Sequence, residues 1–295
     1  IAIGYEAGEF AVNRGSKNII IGYEGGTGVE DATNITGGTN VIIGNQANSV
    51  GGLTVSNCVL IGNQAGQDAT ASTGLTAVGG YAAKENTDGL YNTAIGYDAL
   101  STNVDGDKNT AVGYQAMKLF EASSDGNGAN TAVGYLAGYN NDTGIQNTYI
   151  GSSAGYGATG TNSGNNNTLV GYAAGQLIQG AATQNTCVGS QAGAALTTAV
   201  SNTIVGYNAF SSAQTVDKCV VVGHHAADVL NDENGDGSIF IGYSAGGAIN
   251  PHTDLSTGGL GAVYIGLSAG LNLGDTTNAD NYNKWNTLIG YKAMG

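Results

Sequence analysis

A short pattern of apolar and polar positions recurs along the whole chain. It reads Asn-Thr-x-(Ile/Val)-Gly-Tyr-x-Ala, as in residues 92–99 and 202–209. A β-branched residue stands one and three positions before the glycine in every copy, and this spacing predicts a short β-strand. Sixteen copies fill the 295 residues, with successive glycines 17 to 24 residues apart. The glycines of the pattern are Gly4, Gly22, Gly44, Gly62, Gly79, Gly96, Gly113, Gly134, Gly151, Gly171, Gly189, Gly206, Gly223, Gly242, Gly266 and Gly290.

Repetition with a nearly fixed period predicts a solenoid. We therefore expect an all-β fold, a parallel β-solenoid of about sixteen coils that runs through residues 1–295 as one continuous region. The repeated glycine predicts a sharp turn that needs positive φ or has no space for a Cβ atom. The alanine three positions later, present in fifteen copies, predicts a close approach of two backbone segments.

An asparagine precedes the strand in ten of the fifteen copies that have this position, among them Asn109, Asn167 and Asn185. Two interpretations fit this column. The amides form a ladder in which each side chain bonds to the next, or each asparagine is an ordinary turn residue that tolerates the left-handed conformation. Both interpretations place the column at a corner of the coil.

The middle residue of each strand is apolar in all sixteen copies, as at Ala94, Leu169 and Phe240. It points to the face opposite the two β-branched positions, and a strand that is apolar on both faces is typically buried on both. Because a seventeen-residue coil is narrow, we expect this column to form an apolar ribbon on the outside of the coil. Association of three chains would then cover the ribbon. The alternative is a wider monomeric coil whose own flank covers the column.

Both ends of the sequence lie inside or just after a repeat, without a polar cap, so we expect a segment of a longer fibre. The net charge of −14 disfavours nucleic acid as a partner. No apolar run is long enough to predict membrane insertion. Cys58, Cys187 and Cys219 are odd in number and have no metal-binding spacing, so we expect reduced packing residues.

The segments 92–100, 109–117 and 130–138 resemble the repeats of trimeric autotransporter adhesin heads, and still more the Asn-Thr-Ala-Ile-Gly-Tyr repeats of phage and bacterial tail-fibre-type proteins. This resemblance extends over essentially the whole chain. It implies a left-handed parallel β-roll, a homotrimer, and a role in attachment to hosts or surfaces. The coils of this chain are longer than the compact coil of the adhesins.

The clearest candidate metal ligands are Asp232, Asn234 and Asp236, which match the first half of an EF-hand calcium loop. The twelfth position of that loop is Tyr243 and not an acid, so a solvated acidic turn is the alternative. A weaker cluster of the same kind comprises Asn103, Asp105 and Asp107. Calcium is the one cofactor that these patterns suggest, and the fold requires none.

Two long insertions near the end of the chain contain the candidate receptor-binding residues Trp285, Tyr282 and His252, because loops vary without disturbing a stack of coils. His224 and His225 have no acid or cysteine at ligand spacing, which favours surface or packing roles. Tyrosine follows the repeated glycine in nine copies. This stripe either stacks on sugar rings or packs between chains with its hydroxyls in water.

Together these patterns predict a structural or adhesive fibre segment, extracellular, in a phage tail fibre or a bacterial surface appendage, and not an enzyme. Its partners are expected to be copies of itself and a cell-surface glycan or receptor. One alternative is a polysaccharide depolymerase, which requires paired carboxylates in a cleft. The other is an ice-binding solenoid, which requires a flat face of Thr-x-Thr rows.

Overall fold

The computed structural model describes residues 1–9, 17–27, 37–50, 54–121, 127–157, 162–230, 235–247, 261–270 and 287–293. These residues form an all-β parallel β-solenoid of about twelve turns without a helix. Sixteen complete coils stay a prediction, because many of the connections between strands lie outside the described ranges. The chain divides into two compact units, residues 1–146 and residues 147–295.

Each copy of the sequence pattern supplies one strand of two or three residues. The strands of the first unit are β1 (Ala2–Ile3), β2 (Ile19–Ile21), β3 (Val41–Ile43), β4 (Val59–Ile61), β5 (Thr76–Val78), β6 (Thr93–Ile95), β7 (Thr110–Val112) and β8 (Thr131–Val133). Those of the second unit are β9 (Thr148–Ile150), β10 (Thr168–Val170), β11 (Thr186–Val188), β12 (Thr203–Val205), β13 (Val220–Val222), β14 (Ile239–Ile241), β15 (Val263–Ile265) and β16 (Thr287–Ile289).

Within each unit, neighbouring strands pair in parallel and in register, so that equivalent positions of the repeat lie side by side. Thr93 is opposite both Thr76 and Thr110. Backbone bonding continues past the strand, since the Gly96 N–H donates to the Val78 carbonyl at 2.8 Å. Every coil therefore bonds to the coils before and after it, and this bonding explains why the repeat keeps its register despite variable connections.

The repeated glycine has the role that the sequence predicts. Gly96 has φ of +133°, and a Cβ atom there would overlap the carbonyl oxygen of Gly113 in the next coil. Side chains are excluded at this position by both conformation and space. Three residues later the chain has turned inward, and Ala99 and Ala116 are fully buried.

The middle residue of each strand points into the coil, and the expectation that this column lies outside is wrong. The side chains from Leu60 to Tyr264 in this column are completely buried by the same chain. The alternative, a coil whose own flank covers the column, describes the structure. The two β-branched positions point outward instead, where they are half-buried or exposed.

The opposite wall of the coil packs against the middle residue. In one coil the middle residue is the small Ala94, and the residue four positions after the glycine is the large, fully buried Leu100. Where the middle residue is Tyr149, the same wall position is Gly155, and a Cβ atom there would overlap the tyrosine ring. In these two coils residues of opposite size share the enclosed space, whereas Ile204 and Phe210 are both large.

A buried asparagine ladder supports one corner of each unit, so the first interpretation of this column is correct. In the second unit, Asn167, Asn185 and Asn202 each donate from Nδ2 to the Oδ1 of the asparagine one coil earlier, at 3.1 Å. Each Oδ1 also accepts the next backbone N–H, as Asn167 Oδ1 does from Asn185 at 3.1 Å. The left-handed residue of this corner is the one before the asparagine, such as Gln184 with φ of 60°.

Candidate binding surface

The outward side of the strands forms one surface in each unit, which we call the outer face. It consists of three columns: the residue three before the repeated glycine, the Ile or Val one before it, and the residue one after it. Ile95 and Tyr97 show its typical exposure, at 39% and 48%. No Asp, Glu, Lys or Arg occurs in these columns, although the chain has a net charge of −14. The outer face is therefore a neutral, largely apolar strip on an acidic protein.

Tyrosine rings stack along the third column of the outer face. In the first unit Tyr97, Tyr114 and Tyr135 lie on consecutive coils, with ring centroids 5.8 and 5.5 Å apart and planes 11° and 12° from parallel. Tyr5 and Tyr23 form a separate pair at 5.3 Å. Because both faces of Tyr114 are occupied by neighbouring rings, its edge and hydroxyl are what remain for a partner. A sugar ring, which stacks on an aromatic face, finds no such face at the centre of this column.

In the second unit a histidine takes part in the same column. The His224 ring stacks between Tyr207 and Tyr243, with centroid distances of 5.0 and 5.1 Å. Its neighbour His225 places Nδ1 2.8 Å from Oδ2 of Asp228. The expectation that no acid accompanies the histidines is thus wrong for His225, because a turn brings the residue three positions later beside its ring.

Charged and amide side chains border the outer face at the second position after the glycine. The Asp98 carboxylate accepts from Lys118 Nζ at 2.8 Å, and this hydrogen bond raises the pKa of Lys118. Near the start of the chain, Gln46 Nε2 donates to Glu24 at 2.8 Å. A hydrogen bond from Tyr23 lowers the pKa of the Glu24 carboxyl and at the same time raises the pKa of the phenol. Polar pairs between coils thus flank the neutral strip.

Of the predicted calcium ligands, only Asp236 lies in the part of the chain that the structure describes, and Asp232 and Asn234 lie outside it. Oδ1 of Asp236 accepts the backbone N–H of Asp217 in the preceding coil at 2.8 Å. A carboxylate that caps a neighbouring turn has a structural use of its own. The described ranges contain no group of three or more His, Cys, Asp or Glu side chains that could hold a metal ion.

The second acidic cluster does not converge on a common point. Asn103 is buried and bonds to Asn86 and to the backbone of Gly106. Asp107 instead accepts the Leu90 N–H of the preceding coil at 2.7 Å. These side chains serve the interior and the corner of the coil, so their alternation in sequence reflects turn structure.

The three cysteines are free and buried, which confirms the prediction that they are reduced packing residues. Burial raises the pKa of the Cys187 thiol to about 12. Cys58 and Cys219 occupy the asparagine column, and their N–H groups still bond to the ladder residues Asn40 and Asn202 at 2.9 Å.

The candidate receptor residues Trp285, Tyr282 and His252 all lie outside the described residues. Among the residues with a described structure, no helix has the length and apolarity needed to cross a membrane. No family model, curated protein or solved structure compared with this chain matches it.

Proposed function

We propose that this chain is a structural and adhesive segment of an extracellular fibre, in a phage tail fibre or a bacterial surface appendage. Its role is to act as a spacer and to contribute to attachment to a cell-surface glycan or receptor. The observation that supports this best is the outer face: three columns without a formal charge on a chain of net charge −14. A strip of this kind favours lateral contact between copies, because like-charged chains repel each other least where neither has a charge.

The mechanical role follows from the bonding between coils. Strand pairing, the asparagine ladder and the stacked tyrosines all join equivalent positions of neighbouring coils. We propose sixteen coils in a left-handed stack, as in the fibre repeats that the sequence resembles. A pull along such a stack is resisted by several parallel hydrogen bonds at each coil boundary, which suits a spacer.

The proposed assembly is a homotrimer formed through the outer face. Nine tyrosines of the third column are exposed. At about 100 Å² each, from half of the area of a tyrosine, they offer about 900 Å² per chain, or about 450 Å² towards each of the two neighbours in a trimer. The Thr, Ile and Val columns of the outer face would supply the rest of the roughly 800 Å² that each partner contributes to a stable interface. The association surface is thus different from the buried middle column that the sequence suggested.

The test is the oligomeric state of a matched pair of variants. Val205→Lys puts a charge on the outer face, where this valine is 38% exposed, and Val229→Lys puts the same charge on a turn at 44% exposure. Light scattering on the wild type and Val229→Lys should report trimers, while Val205→Lys should dissociate to monomers with an unchanged circular dichroism spectrum. A monomeric wild type, or equal behaviour of the two variants, would contradict the proposal.

A second candidate function has one observation in its favour. Each strand from β5 to β8, and again from β9 to β12, begins with a Thr and ends with an Ile or Val. These two side chains point outward, because the residue between them points inward. Regular rows of β-branched side chains form a flat surface on which water can order, as an ice-binding solenoid requires. Thermal hysteresis measured on the wild type, and lost in Thr168→Lys, would establish this function instead.

The depolymerase alternative lacks such an observation. A depolymerase would need carboxylates that are available to the substrate. The side chains of Asp107, Asp217 and Asp236 instead accept backbone hydrogen bonds. Release of reducing ends from a panel of capsular polysaccharides by the purified chain would nevertheless favour it over the fibre proposal.

A further inference from the structure

Neighbouring coils of the first unit hold tyrosine rings in fixed, nearly parallel pairs at the protein surface. Tyr5 and Tyr23 are 63% and 46% exposed, with centroids 5.3 Å apart. The stack formed by Tyr97, Tyr114 and Tyr135 has similar geometry. The backbone holds successive coils at the spacing of parallel strands, about 4.8 Å, and this keeps neighbouring ring centroids 5.3 to 5.8 Å apart. A radical formed on one ring of such a pair or stack therefore has another tyrosine as a close neighbour.

Carboxylates stand beside the first of these pairs in the position of proton acceptors. The Glu6 carboxylate neighbours the Tyr5 phenol and the Glu24 carboxylate neighbours the Tyr23 phenol, and each carboxylate raises the pKa of its phenol. A phenol that loses an electron becomes strongly acidic and must release its proton at once. A carboxylate already within hydrogen-bond reach accepts that proton and eases the oxidation. At Tyr97 the adjacent acid, Asp98, is instead paired with Lys118.

We propose that the tyrosine column is an oxidative cross-linking site, with Tyr5 and Tyr23 as the primary pair and Tyr97, Tyr114 and Tyr135 as a second group. The oxidant is hydrogen peroxide acting through a haem peroxidase. The product is a dityrosine link between neighbouring coils of one chain. It covalently joins turns that are otherwise held by hydrogen bonds. Because the trimer proposed above would cover this column, the experiment below is performed on the Val205→Lys variant, which leaves the column uncovered, as well as on the wild type.

The reaction balances as follows. Each phenol loses one electron and one proton and becomes a phenoxyl radical, and the two radicals join through the ring carbons ortho to their oxygens. The hydrogen on each joined carbon then moves to the oxygen, which restores both hydroxyl groups. One C–C bond forms, two hydrogen atoms are lost in total, and the peroxide accepts them with cleavage of its O–O bond to give two water molecules.

The experiment treats the purified chain with a haem peroxidase and limiting peroxide, followed by tryptic digestion and mass spectrometry. Cleavage after Lys84, Lys108 and Lys118 places Tyr97 and Tyr114 on separate peptides, 85–108 and 109–118. The link between them appears as these two peptides joined with the loss of two hydrogen atoms. Tyr5 and Tyr23 are likewise separated by cleavage after Arg14 and Lys17. The yield of each link should not change on dilution, because both rings belong to one chain.

Tyr172 provides the control within the same molecule. It is 59% exposed in the same column, but Ser152 and Ser190 occupy the equivalent positions before and after it. It should form no link within the chain. Because trypsin leaves Tyr172 and Tyr207 together in peptide 119–218, an additional chymotryptic digestion, with cleavage after Leu177 and Leu196, separates them. Ser190→Tyr adds a ring between Tyr172 and Tyr207 and should create new links at both. Tyr114→Phe keeps a stacking ring without a phenol and should abolish the links of Tyr97 and Tyr135 to position 114.

Two further results decide the proposal. Glu24→Gln should lower the yield of the Tyr5–Tyr23 link relative to the Tyr97–Tyr114 link in the same sample, because the proton acceptor is gone. If Tyr172 cross-links as readily as Tyr114, or if the same links form with equal yield in denaturant, the folded column does not direct the chemistry and the proposal is overturned. Links that appear only between chains, and decrease on dilution, would overturn it as well.

Discussion

Removing one rung of the asparagine ladder should destabilise the fold more than its surface area suggests. Asn185 is completely buried, and its Nδ2 donates to Asn167 Oδ1 at 3.1 Å and to the Ala199 carbonyl at 2.7 Å. Its Oδ1 accepts both the N–H and the Nδ2 of Asn202 at 3.1 Å. Asn185→Ala leaves the Asn202 N–H and the Ala199 carbonyl buried without these partners. At about 1–3 kcal/mol for each abandoned buried group, the loss is about 3 kcal/mol.

The assay is urea unfolding followed by circular dichroism at low temperature. With an m-value of about 3 kcal/mol/M, the expected loss lowers the midpoint by about 1 M. Asn63→Ala serves as the matched control, because the same substitution there removes an exposed side chain. If the two variants unfold at the same urea concentration, the ladder does not stabilise the fold and the stiffness argued for the fibre loses its physical basis.

Three further predictions concern single positions. Cys219→Asn should raise the free energy of unfolding, measured by urea unfolding, by about 1 kcal/mol. The new amide would extend the ladder from Asn202 towards the Gly235 carbonyl, which Cys219 Sγ contacts at 3.2 Å. Gly96→Ala should prevent cooperative unfolding in a thermal melt, because its Cβ atom would overlap the Gly113 carbonyl oxygen. Gly80→Ala should melt like the wild type, because Gly80 has an ordinary φ and its Cβ position is 3.3 Å from the Tyr97 ring. Burial raises the pKa of the Cys58, Cys187 and Cys219 thiols, so above the ordinary thiol pKa stability should fall with pH as the unfolded thiols lose their protons, by up to about 1.4 kcal/mol per pH unit for each. Cys187→Ala should remove its share of this slope in urea titrations.

The sequence was sufficient to predict the repeat, the strands and the special geometry of the glycine. Each depends on local chemistry: β-branched residues at period two define Thr93–Ile95, and only glycine fits where Gly96 turns against the next coil. The ladder was one of two interpretations, because asparagine suits both a stack and a turn. Only the structure shows that the left-handed residue is the neighbouring Gln184 and that Asn185 points inward.

The direction of the strand was the main error, and it has a physical cause. With three-residue strands, either face can be buried, and β-branched residues at the two outer positions suggested the wrong one. A partial signal lies elsewhere in the repeat. In some copies the size of the middle residue is opposite to that of the residue four after the glycine, as in Ala94 with Leu100 and Tyr149 with Gly155, although Ala132 with Gly138 does not follow this pattern. Such compensation is expected between residues that share an enclosed space, since a packed interior has nearly constant volume.

The candidate site could be predicted only in part for a different reason. The tyrosine stripe is visible in the sequence, but whether rings offer their faces or their edges depends on how far apart the coils are and how the side chains tilt. The stacking of Tyr97 on Tyr114 decides this in favour of edges. The pairing of His225 with Asp228 likewise depends on a turn that the spacing alone does not define.

The inward and outward positions of the strand differ in how freely their residues can vary. Inward positions are limited by enclosed volume and by buried hydrogen bonds, as where Gly155 leaves space for the ring of Tyr149. Outward positions have no such constraint, and the third column changes from Tyr135 to Ser152, Ser190 and His224 without altering the backbone pairing. Chemistry that requires adjacent rings is therefore confined to coils where tyrosine happens to recur. The association proposed above can also use the neighbouring Ile and Val column, which is β-branched in every copy.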